Sequence, residues 1–146
     1  MKLRRYSVTL FVAVLLVAVM AGCPSTTQRQ QAATAAREAS AVMSGFESAE
    51  IVAHQQGLIP DADHQLIQGY VLSVAQTGKT TDACILSTTT NAGIVTCVQT
   101  AIGTINTLNG EGALHLKSAQ AKNDFALAMT GTQAALQVIV TIMGGK

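Results

Sequence analysis

Few side chains in this chain are equipped for chemistry. Cysteines stand at 23, 84 and 97, and histidines at 54, 64 and 115. Cys84 and Cys97 form an even pair, which in an exported domain favours a disulfide over two free thiols. On one straight helix the 13 residues between them would span about 20 Å, far beyond the Cα spacing a bridge allows. A bridge therefore requires the chain to fold back within residues 87–93, in the Thr-rich stretch "STTTNAG". A thioredoxin-type Cys-x-x-Cys is not present. His54, Asp61 and His64 could bring two imidazoles and a carboxylate within reach of a metal if one helix ended and the next began between them. The competing reading has Asp61 and Asp63 neutralising a helix N-terminus beside exposed histidines. We adopt that reading and expect no metal and no other cofactor. Met43, Met129 and Met143 fall on or beside apolar stripes and lack a Cys-x-x-Cys-His partner, so they read as packing residues rather than haem ligands. Without a Gly-x-Ser-x-Gly elbow, a phosphate-cradling glycine loop or a paired-carboxylate motif, no enzymatic activity is expected.

Cys23 sits differently, at the seam "VAVMAGCPSTTQRQQ". Lys2, Arg4 and Arg5 precede it, followed by the uncharged run "YSVTLFVAVLLVAVMAG" over residues 6–22. A basic head, an apolar stretch and a small-residue exit make a secretory signal. Met20-Ala21-Gly22-Cys23 resembles the lipobox of bacterial lipoproteins, with Met20 where leucine is commonest. The resemblance implies that the Cys23 thiol receives a diacylglycerol, that the chain is cut before it, and that a lipid anchor holds the rest to a membrane. Each buried methylene contributes about 0.8 kcal/mol, so two or three acyl chains anchor durably where one does not. Two other readings compete. The 17 uncharged residues reach the lower edge of what spans a bilayer, and a plain cleaved signal would leave Cys23 as a free thiol.

Once Lys2, Arg4 and Arg5 leave with the signal, six basic side chains face eight acidic ones. That balance gives no footprint for nucleic acid and no polybasic membrane patch. The composition is 49% hydrophobic yet only 3% aromatic, with no tryptophan. A core of small aliphatic layers is implied, and carbohydrate binding by aromatic stacking is disfavoured.

Helices must position these groups. Ala32, Ala35, Ala39, Val42, Phe46, Ala49 and Ala53 step by three and four, an amphipathic helix stopped at Gly57. Pro60 opens a second helix, with Ala62, Leu66, Ile67, Tyr70, Val71 and Val74 apolar and a close near Gly78. Thr81 would cap a third, whose firm stripe is Ile94, Val98, Ala101, Ile105 and Leu108 and whose end is Asn109-Gly110 and Gly112. Residues 87–93 are either a kinked continuation or a turn that breaks it. Ser118 fits as the cap of a last helix carrying Ala121, Phe125, Ala128, Thr132, Ala135, Ile139 and Ile142.

The fold class expected is all-α, a small antiparallel bundle of about four helices, the third broken or kinked near 87–93. The domain plan is a cleaved signal peptide over 1–22, a lipidated cysteine and polar tether over 23–30, and a helical bundle over 31–146. The stretch "AEIVAHQQGLIPDADHQLIQ" is similar to short helical bacterial proteins of no assigned activity. The function expected is that of a lipid-anchored module of the bacterial cell envelope, on the periplasmic or extracellular side. It would meet a membrane through its anchor and an envelope protein by contact. The alternative is a periplasmic bundle binding a small ligand or metal.

Overall fold

The computed structural model describes residues 28–144, and all four elements are helices: α1 (Gln28–Gln55), α2 (Asp61–Ser87), α3 (Asn91–His115) and α4 (Ala119–Gly144). Each helix packs on its neighbours in the cycle α1–α2–α3–α4–α1. Short connections make every neighbouring pair antiparallel, the up-and-down arrangement expected of such loops.

The apolar stripes face inward. Phe125 of α4 is fully buried at the centre. Its ring lies 6.0 Å from that of Phe46 in an edge-on approach and 5.2 Å from that of Tyr70. Gly112 of α3 completes the enclosure, since a Cβ there would run into the Phe125 ring. All four helices thus close on one side chain, whose burial contributes roughly 2–3 kcal/mol. Gly112→Ala is therefore expected to destabilise the fold by about 2 kcal/mol through overpacking, measured by chemical denaturation. An unchanged midpoint would mean that the core has room at this point. Along the α1–α4 seam the residues are small, and a Cβ on Gly131 would stand 3.3 Å from Val42 Cγ1, so the two helices lie close.

The first turn forms as read. Gly57 adopts φ +70°, and the Gly57 and Leu58 N–H groups donate to the His54 and Ala53 carbonyls at 2.8 and 2.9 Å. This pairing is a Schellman cap, which needs the left-handed residue that glycine supplies. Ser118 also caps as read, accepting from the Ala121 N–H at 3.3 Å.

Four boundaries differ from expectation. Helix α1 begins at Gln28, inside the expected tether. Helix α2 passes through Gly78 and Thr81 to Ser87, because Thr81 donates its hydroxyl to the Thr77 carbonyl at 2.7 Å instead of capping. Threonine satisfies itself this way in a helix interior, so its presence does not mark an end. The break within 87–93 is a turn, residues 88–90, and it separates the second helix from the third. Thr90 caps α3, its hydroxyl oxygen accepting from the Gly93 N–H at 3.0 Å. A Cβ at Gly93 would strike the Thr88 side chain, so the turn is closed tightly. Finally, α3 runs through Asn109, Gly110 and Gly112 to His115, its end set by the buried Leu116.

Three stripe residues also moved. Ala49 is exposed, while Glu50 beside it is buried with 2% of its surface accessible. Ala62 and Leu66 of α2 likewise face solvent, whereas Ile67, Tyr70 and Val74 face the core.

Candidate functional site

Met20, Ala21, Gly22 and Cys23 lie outside the described residues. Of the groups inside them, Cys84 and Cys97 stand at disulfide distance, their Cα atoms 5.8 Å apart and their sulfurs joined. The turn over residues 88–90 supplies the fold-back this requires, and the link ties the end of α2 to the start of α3.

The groups around the first hairpin come together more fully than their spacing showed. Glu50, buried on α1, accepts from His64 Nδ1 at 2.8 Å and from Gln68 Nε2 at 3.0 Å. His54 Nε2 and Asp61 Oδ1 are 2.9 Å apart, with Asp61 exposed. The two imidazoles stack face to face, centroids 4.0 Å apart and planes within 6°. Glu50 and His54 are one turn apart on α1, as are His64 and Gln68 on α2, so two polar stripes face each other across the hairpin. That spacing was the available signal for Glu50 and Gln68, both of which the sequence reading passed over. The histidines are half-buried and each is engaged by a carboxylate, contrary to the expectation of exposed rings.

This arrangement joins helices rather than cradling an ion. Lone pairs of imidazole lie in the ring plane, and two parallel planes about one ring-stacking distance apart do not aim at a common point. Among the described residues no group of three or more His, Cys, Asp or Glu side chains is placed to hold a metal ion. His54, Asp61 and His64, the sequence candidates for such a site, instead pin α1 to α2, the pair of neighbours that meets least extensively.

Asp63 does something different from neutralising its own helix. It is buried, with 1% of its surface accessible. Its carboxylate accepts from the Lys117 N–H at 2.9 Å and the Ser118 N–H at 2.7 Å. It therefore binds the backbone that enters α4, 54 and 55 residues further along the chain. Carboxylates stabilise helix starts through such bonds and through the helix dipole.

Tyr70, two turns further along α2, has its phenol pKa raised above the ordinary 10.0, first by burial and then by the carboxylate of Glu111. The folded chain thus holds this proton more tightly than the unfolded one. The associated stability is in place below the unfolded value near 10 and is lost as pH rises through the higher folded value. Tyr6 and Tyr70 are the two tyrosines of the sequence and tryptophan is lacking, so in a chain starting at Cys23 the phenolate absorbance reports Tyr70 alone. Alkaline titration should give a higher midpoint folded than in denaturant, with Glu111→Gln narrowing the gap. Coincident midpoints would contradict the burial.

Two open grooves flank α2. One, of about 520 Å³, lies along α1 and is lined by Glu47, Gln68, Gly69, Val71, Leu72 and Ala75. The other, of about 290 Å³, lies against α3 over the cysteine pair and is lined largely by threonines. The hydroxyls of Thr77, Thr80, Thr81, Thr96, Thr100 and Thr104 each donate to a carbonyl one turn back. What they leave for a ligand is methyl surface and acceptor lone pairs, with no hydroxyl protons to offer.

By length and apolarity α4 is the one described helix able to cross a membrane, yet it packs along both α1 and α3 and supplies the core's central ring. Comparison with protein-family models, curated proteins and solved structures finds no match for the chain.

Proposed function

We propose that this chain is an exported bacterial lipoprotein whose helical bundle works by contact, without enzymatic activity, while moored to an envelope membrane through Cys23. The observation that carries the reading is the seam itself. Met20-Ala21-Gly22-Cys23 closes an uncharged run, and the described helices begin at Gln28, after the four residues Pro24-Ser25-Thr26-Thr27 that follow the cysteine. A peptidase and a lipid transferase would act at that junction, and cutting there would leave every described helix intact. The Cys84–Cys97 pair supports export independently, because disulfides persist in oxidising compartments outside the cytosol. The polar clamp of Glu50, His54, Asp61 and His64 supports a structural rather than catalytic use of the chain's titratable groups. Fractionation tests the mooring. The native chain should sediment with membranes and partition into detergent, and Cys23→Ala should not. Equal membrane retention of Cys23→Ala would remove the reading.

The Thr-lined groove between α2 and α3 favours a second reading, a bundle that holds a small ligand with apolar surface and hydrogen-bond donors of its own. Native mass spectrometry of the purified chain separates the two, since a retained small molecule would support the second.

A further inference from the structure

Charged side chains are more numerous in one half of the bundle, with Glu47, Glu50, Asp61, Asp63, Glu111, Lys117, Lys122 and Asp124, than in the other, with Arg37, Glu38, Lys79 and Asp82. Antiparallel register fixes which residues share a level. Glu50 meets His64 and Gln68, Val42 lies against Gly131, and Asn106 Oδ1 accepts from Gln133 Nε2 at 2.7 Å. Stepping along the helices at about 1.5 Å per residue from these pairs puts the start of α1, residues 88–90, the first turn of α3 and the last turn of α4 at one end. The opposite end holds Glu50, Asp61, Asp63, Glu111, Lys117 and Asp124. From residue 83 to 110, and again from 125 to 145, the chain has no Asp, Glu, Lys, Arg or His. These two runs build most of the end from which the tether leaves. Arg29, the second residue of α1, and Lys146, two residues beyond α4, are basic in sequence. Asp82, exposed on α2, stands one turn, or about 6 Å, back from Leu86.

That end also presents Leu86, 86% exposed in the last turn of α2, with Ala92 exposed beside the turn and Ile142 half-buried at the end of α4. We propose that this charge-poor end rests on the same bilayer that holds the anchor, with Leu86 entering the boundary between headgroups and acyl chains. The inference rests on the mooring through Cys23. The occupant follows from reach: residues 24–27 separate Cys23 from Gln28, and a fully extended chain covers at most about 18 Å over that interval. A folded partner has no room beneath the bundle at that distance, whereas a lipid surface is already there. Insertion of side chains by about 5–10 Å is the usual depth for an interfacial element, and the position of Asp82 limits entry to the shallow end of that range.

The sequence lacks tryptophan, so an introduced indole reports alone. Leu86→Trp and Leu114→Trp compare two leucines of similar exposure, 86% and 79%, at opposite ends of the bundle. The full lipidated chains are reconstituted in phosphatidylcholine vesicles with brominated acyl chains, with flotation and circular dichroism confirming anchoring and helicity. The expected result is at least twofold quenching and a blue shift for Leu86→Trp, and no change for Leu114→Trp. Chains that float with the vesicles but show equal quenching, or none at either site, overturn the docking while leaving the anchor in place. Chains that carry no lipid and fail to float overturn the mooring, and the docking with it.

Discussion

Asp63→Ala is expected to lower the stability of the folded chain by about 3 kcal/mol. The carboxylate is buried and accepts two backbone N–H groups, from Lys117 and Ser118, at the entry to α4. A helix cap alone contributes about 1 kcal/mol, but hydrogen bonds to a charged group contribute roughly 1.5–3 kcal/mol each, and both donors would be left without the acceptor. The removed contact also ties α2 to the α3–α4 connection, so the effect spreads beyond one helix end. Thermal melting should show a drop of roughly 10 °C for a chain of this size. Asp63→Asn keeps one carbonyl acceptor and should lose about half as much. Amide exchange at Lys117 and Ser118 should accelerate most. A change below about 0.5 kcal/mol for Asp63→Ala would show that the two N–H groups find other partners.

Reducing the Cys84–Cys97 link should weaken the fold by a similar amount. The sequence separation is 13, and closing a loop of this size contributes about 3 kcal/mol when the geometry is unstrained. Thiol labelling of the oxidised chain should leave Cys84 and Cys97 unmodified, and both should react after reduction. Denaturation of the reduced chain should then begin at a lower denaturant concentration, with the end of α2 and the start of α3 losing exchange protection first. Cys97 is buried and Cys84 exposed, so the bridge is reached from the Cys84 side. Two reactive thiols before reduction, or coincident denaturation curves, would contradict the staple.

Helix periodicity carried most of the architecture. Ala32, Ala35 and Ala39, then Ile94, Val98 and Ile105, then Phe125 and Ile139 are buried where their spacing places them, because apolar side chains at helical intervals have one face to hide. Gly57 and Ser118 were equally legible, each acting through its own backbone neighbourhood. What escaped notice depended on partners remote in sequence. Whether Ala49 or Glu50 turns inward depends on His64 and Gln68, which satisfy the buried carboxylate from the facing helix. Asp63 looked like a charge for its own helix start, and only the fold brings it to residues 117 and 118. Threonine was ambiguous for a local reason, since Thr81 and Thr90 offer the same hydroxyl, one to a carbonyl behind it and the other as an acceptor to an amide ahead. Side-chain type restricts these outcomes, and tertiary contact chooses among them.

The hairpin cluster shows the same division. The sequence placed His54, Asp61 and His64 near one another, and the structure agrees. Their use was set by Glu50 and by the parallel stacking of the rings, neither of which the spacing of three residues expresses.

Mooring through Cys23 is the claim on which function, location and membrane docking depend. Intact mass spectrometry of the native chain extracted from membranes tests it directly. The mooring reading predicts a polypeptide that begins at Cys23 and carries the added mass of a diacylglycerol, with or without a further acyl group on the new amine. A chain that begins upstream of residue 23, or an unmodified one recovered from the aqueous fraction, would contradict it.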